Sequence, residues 1–379
     1  MSPFGVYVHL PWCRSRCPYC SFNVRVDPEA PQAAYADAVL DQWAGLRGSF
    51  PDRPDTLFFG GGTPSLTPPP LLARLVAAIA PVGEVTLEAN PEDLSPENLD
   101  AWRAAGITRL SVGAQTFSPA HARLLKRAHS VRALPEALSR VIRAGFESWS
   151  ADLIFAVPGQ SLDDLRADLD ALLSTDAPHA SLYGLTTHPG TAYTQAVRSG
   201  RLQEAPPELW RDMYDLATAT LEAAGLARYE VSNFARSGHR SRHNEHYWRA
   251  RPYAGLGAGA HGWLPDGRRT VGHADPAAFI ESPRSWASIE LPAPREAAID
   301  LLLGALRHVD GVPLGRLRAL GFDLAPGPVN ALIRGGALAR VDDHLRLQGP
   351  GWPVSDAALL RLVDALAPVS GGPPHPETA

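Results

Sequence analysis

Cysteine is nearly missing from this chain of 379 residues: it has three. All three fall in one segment, Cys13-Arg14-Ser15-Arg16-Cys17-Pro18-Tyr19-Cys20. An odd number of closely spaced thiols excludes a secreted disulfide framework; it points to a reducing compartment, hence the cytoplasm, and to a metal. An excess of positive charge is missing too. The formal net charge of −5 excludes the broad basic face that nucleic acid would need. Long apolar runs are absent: the stretch Leu71–Val82 is interrupted by Arg74, and no segment reaches membrane-spanning length. At most, peripheral membrane association is expected. The opening MSPFGVYVHLPWC has neither a basic stretch nor a long apolar core, so no signal peptide is predicted. What remains is the composition of an ordinary globular protein, long enough for a large core and two domains.

The hydrophobic pattern predicts strands at Val6–Leu10, Thr56–Phe59, Val85–Ala89, Arg109–Ala114, Ser148–Phe155 and Ala180–Leu185. Helices are predicted between them, at Gln32–Leu46, Pro70–Ile79, from Ser95, at Pro119–Leu125, Val131–Ala144 and Leu162–Leu173. This alternation is that of parallel βαβ units, and six of them make an α/β fold, a partial (β/α)6 TIM-like barrel. The loops at Cys13–Cys20, Gly60–Ser65 and Glu88–Pro91, with Gln115 and Asp152, are all expected after the carboxyl ends of strands, where such barrels place their chemistry. Beyond Pro189 the rhythm changes. Pro206–Ala224 reads as a long amphipathic helix, and Ala227–Trp263 is rich in aromatics, histidines and glycines. Leu256–Gly262 is too glycine-rich to assign. From about Leu291 come a helix at Arg295–Val309, two shorter helices, a hairpin at Ala337–Leu347 turning at Asp342-Asp343, and a last helix at Ser355–Leu366. The expected organisation is a barrel over 1–190, an aromatic extension over 191–290, a smaller, mainly helical, winged-helix-like domain over 291–369, and a disordered tail over 370–379. The wing carries both charge signs, so a DNA-binding role is the weaker reading.

Three thiolates spaced C-x3-C-x2-C are one short of a fully ligated 4Fe-4S cluster. The iron left open can take a chelating amino acid, and S-adenosylmethionine supplies one with a sulfonium attached. The alternative is zinc on the three cysteines and a histidine such as His9. Tyr19 and Phe22 would cover the cluster and keep water away.

This segment, with Tyr7-Val8-His9-Leu10-Pro11-Trp12 before it and Ser21-Phe22-Asn23 after it, resembles the radical S-adenosylmethionine proteins, in the branch of the oxygen-independent coproporphyrinogen III dehydrogenase HemN and the heme chaperone HemW. The resemblance runs from Tyr7 to about Gly262. It implies that Cys13, Cys17 and Cys20 ligate the cluster. It further implies cofactor contacts from Tyr7, from Gly61, Gly62 and Thr63 at the amino group, from Glu88 at the ribose hydroxyls, from Gln115, from Arg127 at the carboxylate, and from Asp152. The dehydrogenase has a further cysteine where Phe22 stands, and a substantial extension before the first strand where this chain has only a few residues. Both departures favour the HemW group. So does His243-Asn244-Glu245-His246-Tyr247-Trp248, which resembles an H-N-x-x-Y-W signature associated there with heme. His243 is then the expected iron ligand, with Tyr247 and Trp248 against the porphyrin and Arg240 and Arg242 near the propionates; His246 and His261 are rival ligands, and a purely structural turn is the alternative. The implied activity is heme binding and delivery to apo-hemoproteins of the respiratory-chain type, with a reducing donor such as flavodoxin or ferredoxin and a possible homodimer. The competing activity is oxidative decarboxylation of coproporphyrinogen III.

Overall fold

The structure is a computed structural model that describes residues 3–51, 53–127 and 131–369. The tail expected to be disordered, 370–379, lies outside them. Six strands, β1 (Gly5–Leu10), β2 (Thr56–Gly61), β3 (Val85–Ala89), β4 (Arg109–Gln115), β5 (Ser148–Phe155) and β6 (His179–Gly184), pair in parallel in chain order. The helices between them are α1 (Gln32–Leu46), α2 (Pro69–Ile79), α3 (Pro96–Ala104), α4 (Pro119–Leu124), α5 (Leu134–Arg143) and α6 (Leu162–Leu173). The predicted βα rhythm is therefore present, with element ends shifted by at most three residues. Local chemistry sets several starts. The Ser95 hydroxyl accepts from the Asn98 amide at 3.2 Å and caps α3. Ser161 and Asp164 form a reciprocal capping box on α6.

The barrel is not closed. Beyond β6 the sheet continues into β8 (Asn233–Ala235), antiparallel to it, and β7 (Ala227–Arg228). Beyond β1 it continues into β9 (Tyr253–Leu256), β10 (His261–Trp263), β11 (Arg269–Val271) and β12 (Ser288–Glu290). The glycine-rich stretch left unassigned in the sequence is thus the end of β9, a tight turn and the start of β10. The helices in this part of the chain are α7 (Ala192–Arg198), α8 (Pro207–Ala223), α9 (Arg242–Trp248) and α10 (Pro276–Glu281).

Alternation along the parallel strands separates two faces. Val6, Val8, Leu57, Phe59, Leu87, Leu110, Val112, Ala151, Leu153 and Leu182 are buried on one of them. The other carries Tyr7, His9, Thr86, Glu88, Arg109, Ser111, Ser150, Asp152, His179 and Ser181, aligned by the strand registers. Parallel strands covered on both sides normally read as continuous apolar runs. A hydrogen-bonding inner face is what a barrel built to hold a polar ligand requires.

The chain divides into two compact units. The first comprises Met1–Arg228, Ser232–His243 and Pro252–Ile289; the second comprises Tyr229–Val231, Asn244–Arg251 and the chain from Glu290 on. The second unit contains α11 (Pro294–Ala305), β13 (Val312–Pro313), α12 (Leu314–Ala319), β14 (Phe322–Leu324), α13 (Pro326–Arg334), β15 (Leu338–Val341), β16 (His344–Leu347), α14 (Ser355–Asp364) and β17 (Leu366–Pro368). The predicted hairpin is β15–β16, and it turns at Asp342 with φ +52°. It gains a third strand, β13, which pairs with β16. No helix of the described residues is long and apolar enough to cross a membrane.

Candidate functional site

The cysteine loop begins where β1 ends and is closed at its stem. Arg25 N donates to Pro11 O at 2.7 Å, and Cys13 N donates to Arg25 O at 2.8 Å. The three thiols are partly buried, and none is in a disulfide. The glycine loop of β2 lies directly against this stem, with Gly62 N donating to Leu10 O and Thr63 N to Trp12 O, both at 2.8 Å. Only glycine fits here. Gly61 has φ +114°, and a Cβ on it would lie 2.5 Å from His9 Cε1; one on Gly62 would lie 2.7 Å from the Pro11 carbonyl carbon.

A run of hydrogen bonds then connects one thiol to another. Thr63 Oγ1 donates to Cys13 Sγ at 3.4 Å, and Asn90 Nδ2 to Thr63 Oγ1 at 3.5 Å. Arg127 Nη2 donates to Asn90 Oδ1 at 2.6 Å and to Gly113 O at 3.0 Å, while its Nη1 donates to Cys17 Sγ at 3.6 Å. Loops after β1, β2 and β3, the strand β4 and the segment after α4 therefore meet at the sulfurs. Gln115 closes β4 with φ +64°, just past a register shift, and its amide sits where a Cβ on Gly113 would be. Burial pushes the Cys13 and Cys20 thiols up from their ordinary range; the Thr63 hydroxyl opposes this at Cys13. Burial likewise raises Tyr19, which packs against Leu125, Ile154, Val157, Leu185 and Tyr193. Phe22, expected as the second cover, is 65% exposed, so shielding of the loop falls to Tyr19.

On the inner face, Glu88 Oε2 accepts from Gly61 N at 3.1 Å. Burial, and then the charge of Asp152, push the Glu88 carboxyl up to about 7, against the pull of the Gly61 N–H. Asp152 accepts from Ser111 Oγ at 2.9 Å and from Ser150 Oγ at 2.7 Å. It lies inside β5, whose bounds match the predicted strand Ser148–Phe155, and not after its end as expected. Tyr7 Oη lies 3.1 Å from His9 Nδ1. His9, weighed from sequence only as a zinc ligand, and Asn90 were not among the cofactor contacts expected from sequence. The available signals were a histidine two residues from Tyr7 on the same strand face and an asparagine at the carboxyl end of β3.

His243, the expected heme ligand, lies away from the cysteine loop. Its motif, for which a structural turn was the alternative reading, forms the short helix α9. Its first turn is fixed at the amino end of the parallel strands: Glu84 accepts from Arg242 N and His243 N, both at 3.2 Å, and Arg242 pairs with Asp55. His243 is 0% exposed, with Nδ1 2.7 Å from Thr56 Oγ1 and its ring stacked 5.2 Å from that of Phe58. A Cβ on Gly5 would collide with the same ring. Thr56 and Gly5 begin β2 and β1, whereas the cysteine loop follows the end of β1. The structure thus does not bring His243 to the cysteine site. Tyr247 and Trp248, on the following turn, are partly exposed.

Residues 7–172 match the radical SAM superfamily. A heme chaperone HemW of Mycobacterium tuberculosis is 36% identical over 387 aligned positions, which cover 95% of this chain and 95% of that protein. The chain belongs to the HemW family of radical SAM proteins. A second member of the HemW family, the heme chaperone HemW of Bacillus subtilis, is 37% identical over 70% of this chain and 72% of its own length. Among solved structures, the coproporphyrinogen III oxidase HemN of Escherichia coli superposes with a TM-score of 0.80 at 18% identity, covering 95% of this chain and 90% of that one. That likeness shows the fold alone.

The donor set suits the iron–sulfur cluster that a radical SAM family implies. Three free thiols lie on one loop, and two sulfurs already receive a hydrogen bond, one of them from a guanidinium that offsets thiolate charge. Among the described residues no three His, Cys, Asp or Glu side chains converge on a single ion. A cubane instead takes one thiolate per iron.

Proposed function

We propose that this protein is a heme chaperone of the HemW type, which binds heme and hands it to apo-hemoproteins. The observation that carries this reading is the 36% identity along 95% of both chains with a protein named for that function. Phe22 at the position of the extra cysteine of the dehydrogenases agrees with it. Cys13, Cys17 and Cys20 are assigned to a 4Fe-4S cluster. Gly61, Gly62, Thr63, Gln115 and Arg127 would hold the methionyl end of S-adenosylmethionine, and Glu88 its ribose, with Tyr7 and Asp152 beside them. When bound, the cluster and S-adenosylmethionine would supply one-electron radical chemistry. The chain's own residues orient these groups and exclude water; Tyr19 and its apolar neighbours do the latter. A reducing protein such as flavodoxin or ferredoxin would supply the electron, and the working form is proposed to be a cytoplasmic homodimer. For heme, Tyr247 and Trp248 are assigned to the porphyrin face. Iron ligation by His243 would require its ring to leave the pocket of Phe58 and Thr56, so a structural tie is its favoured role.

Two measurements on anaerobically reconstituted protein test this reading. Heme titration should give a saturable Soret band, followed by transfer to an apo-hemoprotein. Incubation with coproporphyrinogen III, reductant and S-adenosylmethionine should give no protoporphyrinogen IX. Turnover of coproporphyrinogen, or no Soret change, would refute the proposal.

A further inference from the structure

His9 sits four residues before the cysteine loop, among groups that leave its ring no freedom. Its Nε2 lies 2.7 Å from the carbonyl oxygen of Asn23. A carbonyl can only accept, so Nε2 carries a hydrogen. Burial lowers the tendency of the ring to take a second proton, so Nδ1 is a bare lone pair, and the Tyr7 hydroxyl 3.1 Å away must be the donor. Both ends of this chain are fixed. Asn23 is anchored through its amide, which donates to Ala258 O at 3.1 Å and Ala274 O at 2.8 Å. The carbonyl of His9 accepts from Tyr35 Oη at 2.8 Å, and Tyr35 Oη accepts from Ala258 N at 2.7 Å. Gly61 and Gly60 let the two rings lie flush on β2: added Cβ atoms would stand 2.5 Å from His9 Cε1 and 2.8 Å from Tyr7 Cε2.

We propose that His9 is a positioning residue that sets the polarity of the site: it draws the Tyr7 hydroxyl hydrogen onto its own Nδ1, so that Tyr7 Oη and the Glu88 carboxylate face the bound ligand as acceptors. Glu88 is near enough for its charge to bear on the Tyr7 hydroxyl. Without His9 that hydrogen would be free to turn elsewhere, and Tyr7 Oη would no longer be fixed as an acceptor. With His9, Tyr7 Oη and Glu88 are both left for a ligand group rich in hydrogen-bond donors, an ammonium or a ribose diol. The choice of ligand rests on the cofactor reading above; the polarity of the pair does not.

The direct test needs no cofactor. In metal-free protein labelled with 15N-histidine, the resonances lost in His9→Phe identify His9. The neutral Nε2–H tautomer at pH 7.5 is the expected result, and an Nδ1–H tautomer or an imidazolium would overturn the proposal. A second arm measures S-adenosylmethionine binding by equilibrium dialysis in reconstituted wild type, Tyr7→Phe, His9→Phe and the double variant. His9→Phe is expected to weaken binding about tenfold when Tyr7 is present and not at all when it is Phe. An equal loss in both backgrounds would mean that His9 is merely structural, and would overturn the proposal. If wild type itself does not bind, the cofactor reading fails, and the tautomer alone decides the polarity.

Discussion

Glu88 is the residue whose replacement most sharply separates binding from folding. Its carboxyl rises from 4.5 to about 7 on folding, by burial first and then by the charge of Asp152. The folded protein therefore holds this proton more tightly than the unfolded chain does. The group contributes its full stability below pH 4.5, and that contribution is lost as pH rises through 7. A shift of this size, at 1.36 kcal/mol per unit, makes the ionised carboxylate cost about 3 kcal/mol at pH 8 in the cofactor-free protein. Glu88→Gln keeps an oxygen to accept from Gly61 N and removes the charge. Thermal unfolding of metal-free protein should show the variant melting on the order of 5 °C higher at pH 8 and little changed at pH 4.5. Binding of S-adenosylmethionine should move the other way, weakening about tenfold or more, because hydrogen bonds to a charged acceptor are worth roughly 1.5–3 kcal/mol. A variant that is less stable at pH 8, or equally altered at both pH values, would show that Glu88 is not held at the expense of the fold.

Three further outcomes are expected. Gly61→Ala should destabilise the protein by at least about 2 kcal/mol in urea unfolding, because φ is +114° and the added Cβ meets the His9 ring. Arg127→Leu, which strips donors from Asn90, Gly113 and Cys17, should weaken S-adenosylmethionine binding at least about tenfold in dialysis, with Arg127→Lys recovering only part. His179 is buried, and both burial and the charges of Arg109 and His239 lower its pKa below the ordinary 6.5. The unfolded chain takes up a proton that the folded ring refuses, so stability should fall as pH drops below about 6.5. His179→Asn should flatten that slope in pH-dependent melting.

Much of the fold was legible because the inner strands obey a strict rhythm. Val85–Ala89, Ser148–Phe155, Gln32–Leu46 and Leu162–Leu173 were placed to the residue, each bounded by a turn former or a cap. The additions at the sheet flanks were not. Strands such as β8, β10 and β11 have three residues each, too few for a period to show. The helix α9 was hidden because Arg242–Trp248 has no apolar stripe; it is held instead by Glu84, Asp55 and Thr56, which are distant in sequence. The cysteine, glycine and Glu88 positions stood out, since each breaks a strand's pattern at its end. Asp152 was expected after a strand end although the strand's bounds were placed correctly; it lies within Ser148–Phe155, on the inner face. The hydrogen bonds of His9 and Asn90 were invisible because they reach other loops. The exposure of Phe22 follows from how the chain leaves the cysteine loop, which composition cannot tell.

The three-cysteine loop is tested most directly by metal analysis and electron paramagnetic resonance after anaerobic reconstitution. Wild type should hold about four iron and four sulfide per chain, and adding S-adenosylmethionine should change the spectrum of the reduced cluster. Cys17→Ser should hold no intact cluster. Tightly bound zinc without sulfide, or a cluster whose spectrum ignores S-adenosylmethionine, would contradict the assignment of Cys13, Cys17 and Cys20 to an open-sited cluster.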